Sequence, residues 1–507
     1  MPSTGPNIVY ILADDMGYGD ISAFNPQAAF RTPHLDQLAA EGMMFRDAHA
    51  SSAVCTPSRY SILTGRYNWR SGLKQGVTMG YSESVLEPGR LTVAAWLQQH
   101  GYRTGCIGKW HLGWTWAGLA ETGEVDFTAP IRQGPLQAGF ESFFGISASL
   151  DMPPYVFVEN DRATAVPDRR ISGNTGKLAF REGVIAPDFH PETVLPTLER
   201  KAVDFILRQE CGDRPFFLYL PLTAPHTPIL PGIAYRGKSG TNEYGDFCLQ
   251  VDDVVGSVMD ALARQNLTAD TVVIFTSDNG CSPQADFAEL ARCHHFPSHI
   301  FRGMKADIYE GGHRIPLIVR WPKGIAAGTA RDDTVCLVDF FATCADILGE
   351  TLPDNTGEDS VSNLPVWRGQ ALDKTLREAT VHSSINGSLS IRRGRWKLEM
   401  CPGSGGWSAP RPGEELPDWP TCQLYDLAED VGEQQNLIGA HPEKARELQD
   451  LLTDYVRRGR STPGPVQPNT GAFPWQQLWW MNTAEPEANA GEKVDAGANA
   501  GAKSCDG

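Results

Sequence analysis

Through most of the chain, apolar runs of strand length alternate with amphipathic stretches of helix length. Residues 8–12 read as a strand and 35–41 as a helix, 91–100 as a helix and 104–107 as a strand, and 194–207 as a helix before a strand at 216–220. The alternation continues with a helix at 251–263, strands at 272–276 and 315–321, and a helix at 336–348. Strands that are apolar throughout and separated by helices predict an α/β fold, with a large mixed, mostly parallel sheet covered by helices on both faces. Polar clusters fall directly after these strands: Asp14-Asp15, Gly108-Lys109-Trp110-His111, Pro225-His226 and Ser277-Asp278-Asn279. The carboxyl ends of such strands are where ligands sit, so the four clusters are expected to converge on one pocket.

Beyond residue 353 the pattern changes to short β-like pieces at 388–393, 396–400 and 423–427, joined by Gly/Pro-rich connections. One amphipathic helix follows, with Ala445, Leu448, Leu451, Leu452 and Tyr455 on one face. The expected organisation is a catalytic α/β domain over residues 1–360 and a smaller α+β domain with an antiparallel sheet over 361–481. From 482 to 507 Ala, Glu, Gly and Asn dominate without apolar period, the composition of a disordered tail.

At 41% hydrophobic and 21% charged residues, the 507-residue chain has an ordinary globular composition, and no apolar run is long enough to span a bilayer. The first strand begins almost at the amino terminus, which leaves no room for a signal peptide. The sequence as written is therefore expected to be cytoplasmic, or periplasmic or secreted if a leader has been removed. Forty-four basic against 61 acidic side chains give a net charge of −17, which argues against nucleic acid or an anionic membrane as partner. An anionic substrate needs a local basic pocket to overcome that field. The 11 cysteines are scattered without metal-ligand spacing and read mostly as buried thiols.

Cys55 stands apart by its context, the run Cys55-Thr56-Pro57-Ser58-Arg59. Pro57 suits the first turn of a helix, which puts Cys55 at or just before a helix N-terminus, with Arg59 one turn on. Free N–H groups and the positive end of the helix dipole stabilise an anion there. Taken alone, this chemistry fits a low-pKa thiolate nucleophile equally well.

The run Cys55, Pro57, Ser58, Arg59 and Leu63-Thr64-Gly65-Arg66 resembles the signature of the formylglycine-dependent sulfatases of the alkaline-phosphatase superfamily. The resemblance recurs in family order at Asn7-Ile8-Val9 with Asp14-Asp15-Met16-Gly17, at Gly108-Lys109-Trp110-His111-Leu112-Gly113, at Ala224-Pro225-His226-Thr227-Pro228 and at Ser277-Asp278-Asn279-Gly280. Lys305 ahead of Tyr309-Glu310-Gly311-Gly312 and a weaker match at Leu424-Tyr425-Asp426-Leu427 complete it. It implies an alkaline-phosphatase-like fold and a sulfuric ester hydrolase whose nucleophile is a formylglycine made by oxidation of Cys55, so that a formylglycine-generating enzyme is a maturation partner.

The resemblance also implies one Ca²⁺ per chain, held by Asp14, Asp15, Asp278 and Asn279 beside the modified Cys55; these are oxygen ligands suited to a hard cation. Lys109 and Lys305 hold the sulfate oxygens, His226 protonates the leaving alkoxide, and His111 removes a proton from the second hydroxyl of the hydrated aldehyde so that sulfate is expelled. Arg59 anchors the nucleophile and the ligand carboxylates. A sulfated carbohydrate, attacked at its chain end, is the expected substrate. Trp114, Trp116, Asp151, Tyr155, His294, His295, His299 and Arg302 are expected to line its subsites, since rings stack on sugars and polar groups read their hydroxyls. The alternatives are a phosphodiesterase or phosphonate monoester hydrolase of the same fold, and a catalytically silent binding protein.

Overall fold

Strand β1 (Asn7–Asp14) is buried at every position, as an apolar run covered on both faces must be. The computed structural model describes residues 5–209, 214–370, 372 and 375–481. Among these, ten strands form one sheet: β1, β2 (Met43–Phe45), β3 (Arg103–Lys109), β4 (Ser142–Ile146), β5 (Val158–Glu159), β6 (Arg162–Ala163), β7 (Phe216–Pro225), β8 (Thr271–Ser277), β9 (Leu317–Arg320) and β10 (Thr329–Arg331). Their spatial order is β10-β2-β9-β8-β1-β7-β3-β4-β5-β6. The centre, β8-β1-β7-β3-β4, is parallel, whereas β9 runs antiparallel to both of its neighbours and β5 and β6 add an antiparallel edge.

Adjacent residues of β7 show how both faces are covered. The Phe216 ring meets Phe205 of helix Val194–Leu207 at 5.7 Å, and Phe217, pointing the other way, meets Phe340 of helix Phe340–Ile347 at 5.7 Å. Helix Glu243–Arg264 begins earlier than its apolar period suggests, because Asn242 Oδ1 accepts from the N–H groups of Tyr244 and Gly245 and caps it. The helix expected at 336–348 is shorter. Val335–Cys336 pairs as a strand with Ala48–His49, and the Cys336 N–H donates to Asp339 Oδ2, so the regular helix starts only at Phe340.

A second, four-stranded antiparallel sheet is built from β11 (Thr380–Ser383), β12 (Leu389–Arg393), β13 (Trp396–Glu399) and β14 (Gln423–Asp426). Helix Pro442–Arg458 packs on β12 and β13 and buries Leu448, Leu452 and Tyr455. By contacts, Met1–Gly471 forms one compact unit, and the other unit is Ala472–Gly507. Buried ion pairs explain the union. Arg392 pairs with Asp47 at 2.7 Å and Lys397 lies 3.2 Å from Glu310, and Arg70 adds a hydrogen bond of 2.9 Å to the Tyr455 carbonyl. Within the second unit, Gln476–Met481 forms a short 3₁₀ segment. The expected disordered tail, 482–507, lies outside the described residues. Among the described residues no helix is long and apolar enough to cross a membrane.

Candidate active site

Four strand ends supply the site. Asp14 closes β1, Lys109 closes β3, Pro225 closes β7 just before His226, and Ser277 closes β8 just before Asp278 and Asn279. The register of β1 against β7 shifts between Leu12 and Asp14, a local irregularity that re-aims the Asp14 carboxylate at the strand's end. Asp15 then takes a left-handed conformation with φ of 66°, which turns the chain sharply and brings the second carboxylate to the same side. Gly108 has φ of 140°, and a Cβ there would come within 1.8 Å of the Pro221 carbonyl oxygen. The kink that delivers Lys109 therefore requires glycine.

Helix Cys55–Thr64 begins at Cys55, with Val54 extended before it and no side chain capping its first turn. The loop ahead of it is stitched to β11: the Ala53 N–H donates to the Ser383 carbonyl at 2.8 Å, the Ser383 N–H to Ser51 at 3.1 Å and Ser52 Oγ to Ser383 at 3.0 Å. The second sheet thus buttresses the loop that presents Cys55. On the other side, the Ala306 N–H donates to the Ala53 carbonyl and the Lys305 N–H to that of Cys281, which sets Lys305 against the same loop.

Cys55 Sγ lies 3.7 Å from Asp14 Oδ1. Lys109 Nζ donates to both Asp14 oxygens at 2.9 and 2.7 Å, and Lys305 Nζ donates to Asp15 Oδ2 at 2.7 Å. Arg59 donates twice to Asp278 Oδ2, at 3.0 and 2.7 Å, and once to the Lys109 carbonyl at 2.9 Å, tying helix Cys55–Thr64 to two strand ends. Asn279 Nδ2 donates to Asp15 Oδ1 at 2.7 Å, while Asn279 Oδ1 is buried without a hydrogen-bond partner. Ligand atoms of Asp14, Asp15, Cys55 and His226 all lie within 4.8 Å of one another. With Asp278 and the orphaned Asn279 oxygen alongside, the donor set fits a divalent metal ion.

The electrostatics sort the roles. Burial alone would raise the Asp14 carboxyl, but Lys109, His226, Arg59 and Lys305 together hold it well below its ordinary range. Burial pushes the Cys55 thiol up to about 12, against the pull of Lys109 and Lys305. Burial therefore works against the low-pKa thiolate that the helix terminus alone would allow. Burial, followed by Lys109 and Arg59, holds His111 well below its ordinary value. Its Nε2 donates to the Thr78 carbonyl at 2.9 Å, and Nδ1 is buried without a partner. His111 is thus a neutral imidazole with a free lone pair, the form that accepts a proton.

His226 Nδ1 donates to the Thr227 carbonyl at 2.7 Å, and its Nε2 lies 3.6 Å from Asp15 Oδ2. Ser149, absent from the sequence expectations, accepts from Lys109 Nζ at 3.1 Å and lies 3.2 Å from His226 Nδ1. It sits just past β4, a strand the hydrophobic pattern did not reveal; recognising that strand would have exposed Ser149 by the same strand-end signal as the other residues.

Four of the eight expected subsite residues are core instead. Trp114 and Trp116 are 1% and 2% exposed and pack edge-to-face at 5.3 Å, leaving no ring face for a sugar. Tyr155 is 2% exposed and donates to the Arg181 carbonyl at 2.6 Å, and His295 is fully buried against Asp20 and Phe30. Arg302 also turns inward: its guanidinium covers the Tyr309 ring at 3.8 Å and donates to the Glu433 carbonyl at 2.6 Å. Asp151 pairs with the half-exposed Arg181 while its Oδ1 has no partner. His294 is exposed, and His299 is partly buried near Tyr18 and Phe301, its Nδ1 without a partner.

Two buried lysines, each held by a carboxylate beside a helix N-terminus and two histidines, make a site for an anionic ester group. A family model described as Sulfatase matches residues 6–350. An N-acetylgalactosamine-6-O-sulfatase of Bacteroides thetaiotaomicron is 35% identical, over 90% of this chain and 94% of its own. Human arylsulfatase A is 32% identical, over 93% and 92%. A solved structure concerned with the metabolism of multiple glycosaminoglycans by Bacteroides thetaiotaomicron superposes with a TM-score of 0.77 at 33% identity, covering 89% of this chain and 99% of that one. The chain belongs to the sulfatase family, and it is a sulfuric ester hydrolase.

Proposed function

We propose that the protein removes sulfate from a sulfated carbohydrate, acting at the end of a glycan fragment, with a formylglycine made from Cys55 as nucleophile and Ca²⁺ as the metal. The observation that carries the mechanism is geometric: Cys55 Sγ lies 3.7 Å from Asp14 Oδ1, within a cluster of potential metal ligands, with Lys109 and Lys305 held on Asp14 and Asp15 beside it. The oxygen donors Asp14, Asp15, Asp278 and Asn279 suit a hard cation, which supplies charge neutralisation for an oxygen nucleophile and for the sulfate. Formylglycine, when formed, supplies a hydrated aldehyde with two hydroxyls, one to attack sulfur and one whose deprotonation allows sulfate to leave.

The chain's own residues do the rest. Lys109 and Lys305 hold the ester's oxygens and offset the charge that builds as the S–O bond to the alcohol breaks. His226 gives its proton to the leaving alkoxide, kept in place by the Thr227 carbonyl and Ser149. His111, neutral and with Nδ1 free, takes the proton of the second hydroxyl, the one that does not attack sulfur, so that sulfate can leave. Asp151, with an unpartnered oxygen, and Arg181 are suited to reading sugar hydroxyls, and His294 and His299 are further candidates. The N-acetylgalactosamine-6-sulfatases among the relatives make the 6-O-sulfate of N-acetylgalactosamine the first substrate to try.

The test is turnover by one preparation of 6-O-sulfated N-acetylgalactosamine, an aryl sulfate and an aryl phosphodiester. Sulfate release from the sugar, with the diester slowest by orders of magnitude, is expected. A preference for the diester would transfer the enzyme to phosphodiester chemistry.

A further inference from the structure

We infer that Tyr244, Asp20 and His295 form a buried relay that sets the metal affinity of the Asp14–Asp15 turn, acting as positioning residues rather than ligands. The inference rests on the metal site proposed above. Asp15 is the one ligand residue with a left-handed backbone, and something must hold that turn while its carboxylate faces the site.

The restraint comes from behind. The Tyr244 hydroxyl, fully buried on helix Glu243–Arg264, lies 3.1 Å from the Asp15 carbonyl oxygen and against Asp20 Oδ2. Asp20 Oδ2 also accepts from the Gly17 N–H at 2.7 Å, which closes the turn just after Asp15. Asp20 Oδ1 faces His295 Nε2 at 2.8 Å. The ring's orientation is set in turn: Nδ1 accepts from the Ala29 N–H at 3.3 Å, so Nε2 carries the proton and donates, and the ring stacks on Phe30 at 4.6 Å.

Asp20 is thus held in the interior by two side-chain donors, Tyr244 and His295, with the Gly17 N–H as a third. Removing either donor frees Asp20 to move and lets go of the Gly17 N–H, and with it the backbone that aims Asp15 at Asn279 and Lys305. Outer partners that orient a ligand govern affinity in this way.

The experiment is calorimetric titration of Ca²⁺ into the full chain stripped by chelator, for the parent and for Tyr244→Phe, His295→Ala and His295→Gln, with the melting temperature of each metal-free protein measured alongside. Tyr244→Phe and His295→Ala are expected to weaken Ca²⁺ binding about 10- to 100-fold. His295→Gln, whose amide can donate to Asp20 and accept from Ala29, is expected to restore affinity to near the parent's. Variants that lose melting temperature yet bind Ca²⁺ as the parent does would overturn the relay alone. A parent that binds no Ca²⁺ would overturn the metal assignment and the relay with it.

Discussion

Lys109 shows what a buried charge at this site is for. Its ammonium has no exposure and makes three hydrogen bonds, to both oxygens of Asp14 and to Ser149, so it is fixed before any ester arrives. Such preorganised charge stabilises a transition state without reorganising, and removing one donor of this kind costs about 10²–10³ in rate. Lys109→Ala is therefore expected to lower kcat by that order and, by taking both hydrogen bonds from the buried Asp14 carboxylate while Arg59 stays 3.6 Å away, to lower the stability read by chemical denaturation. His111→Ala is expected to lower kcat by about 10²–10⁴ with a much smaller effect on unfolding, since a neutral imidazole leaves no charge behind. Equal kcat for His111→Ala and the parent would remove it from proton transfer.

At the scale of elements, the strand ends carried most of the message. Asp14, Lys109, His226 and Asp278 were readable because each ends or directly follows a strand, and the structure brings all four together. Ser149 was not readable, because β4 is short and lies within a segment rich in Gly and Ser. Trp114 and Trp116 misled for the opposite reason: a tryptophan beside a catalytic block has the same composition whether it stacks on a sugar or fills the core, and only the fold shows that both are enclosed. The role of β11 was equally hidden, since its pairing with residues 51–53 joins segments far apart in sequence. The packing role has its own test. Trp114→Ala is expected to cost about 3–5 kcal/mol in unfolding free energy, with KM of the surviving folded enzyme nearly unchanged; a large rise in KM without loss of stability would return Trp114 to the substrate site.

At the scale of the molecule, the large sheet and the antiparallel sheet are joined through a buried polar seam. His49, His313 and His382 meet there, with His313 and His382 stacked at 3.9 Å and His49 Nδ1 lying 3.0 Å from His313 Nδ1. Asp47, Glu310, Arg314, Arg392 and Lys397 surround them. Burial drives all three imidazoles down, His49 to about 3, and the neighbouring cations push the same way. Because the folded values lie below the unfolded value of about 6.5, the unfolded chain binds the extra protons. Stability is thus complete above about pH 6.5 and falls as pH drops below it, by up to about 1.4 kcal/mol per pH unit for each histidine. Melting temperatures taken from pH 7.5 to pH 5 are expected to fall, and His382→Phe, which keeps a stacked ring, is expected to fall less steeply.

The same seam holds β11 against the loop that presents Cys55, so the antiparallel sheet supports the site. The claim on which the account turns is that Cys55 is a precursor. Mass measurement of the peptide spanning Cys55, from a preparation whose sulfate-releasing activity has been measured, tests it most directly. An aldehyde in place of the thiol is expected, in a fraction of molecules that tracks specific activity. A wholly unconverted thiol in fully active protein would contradict it.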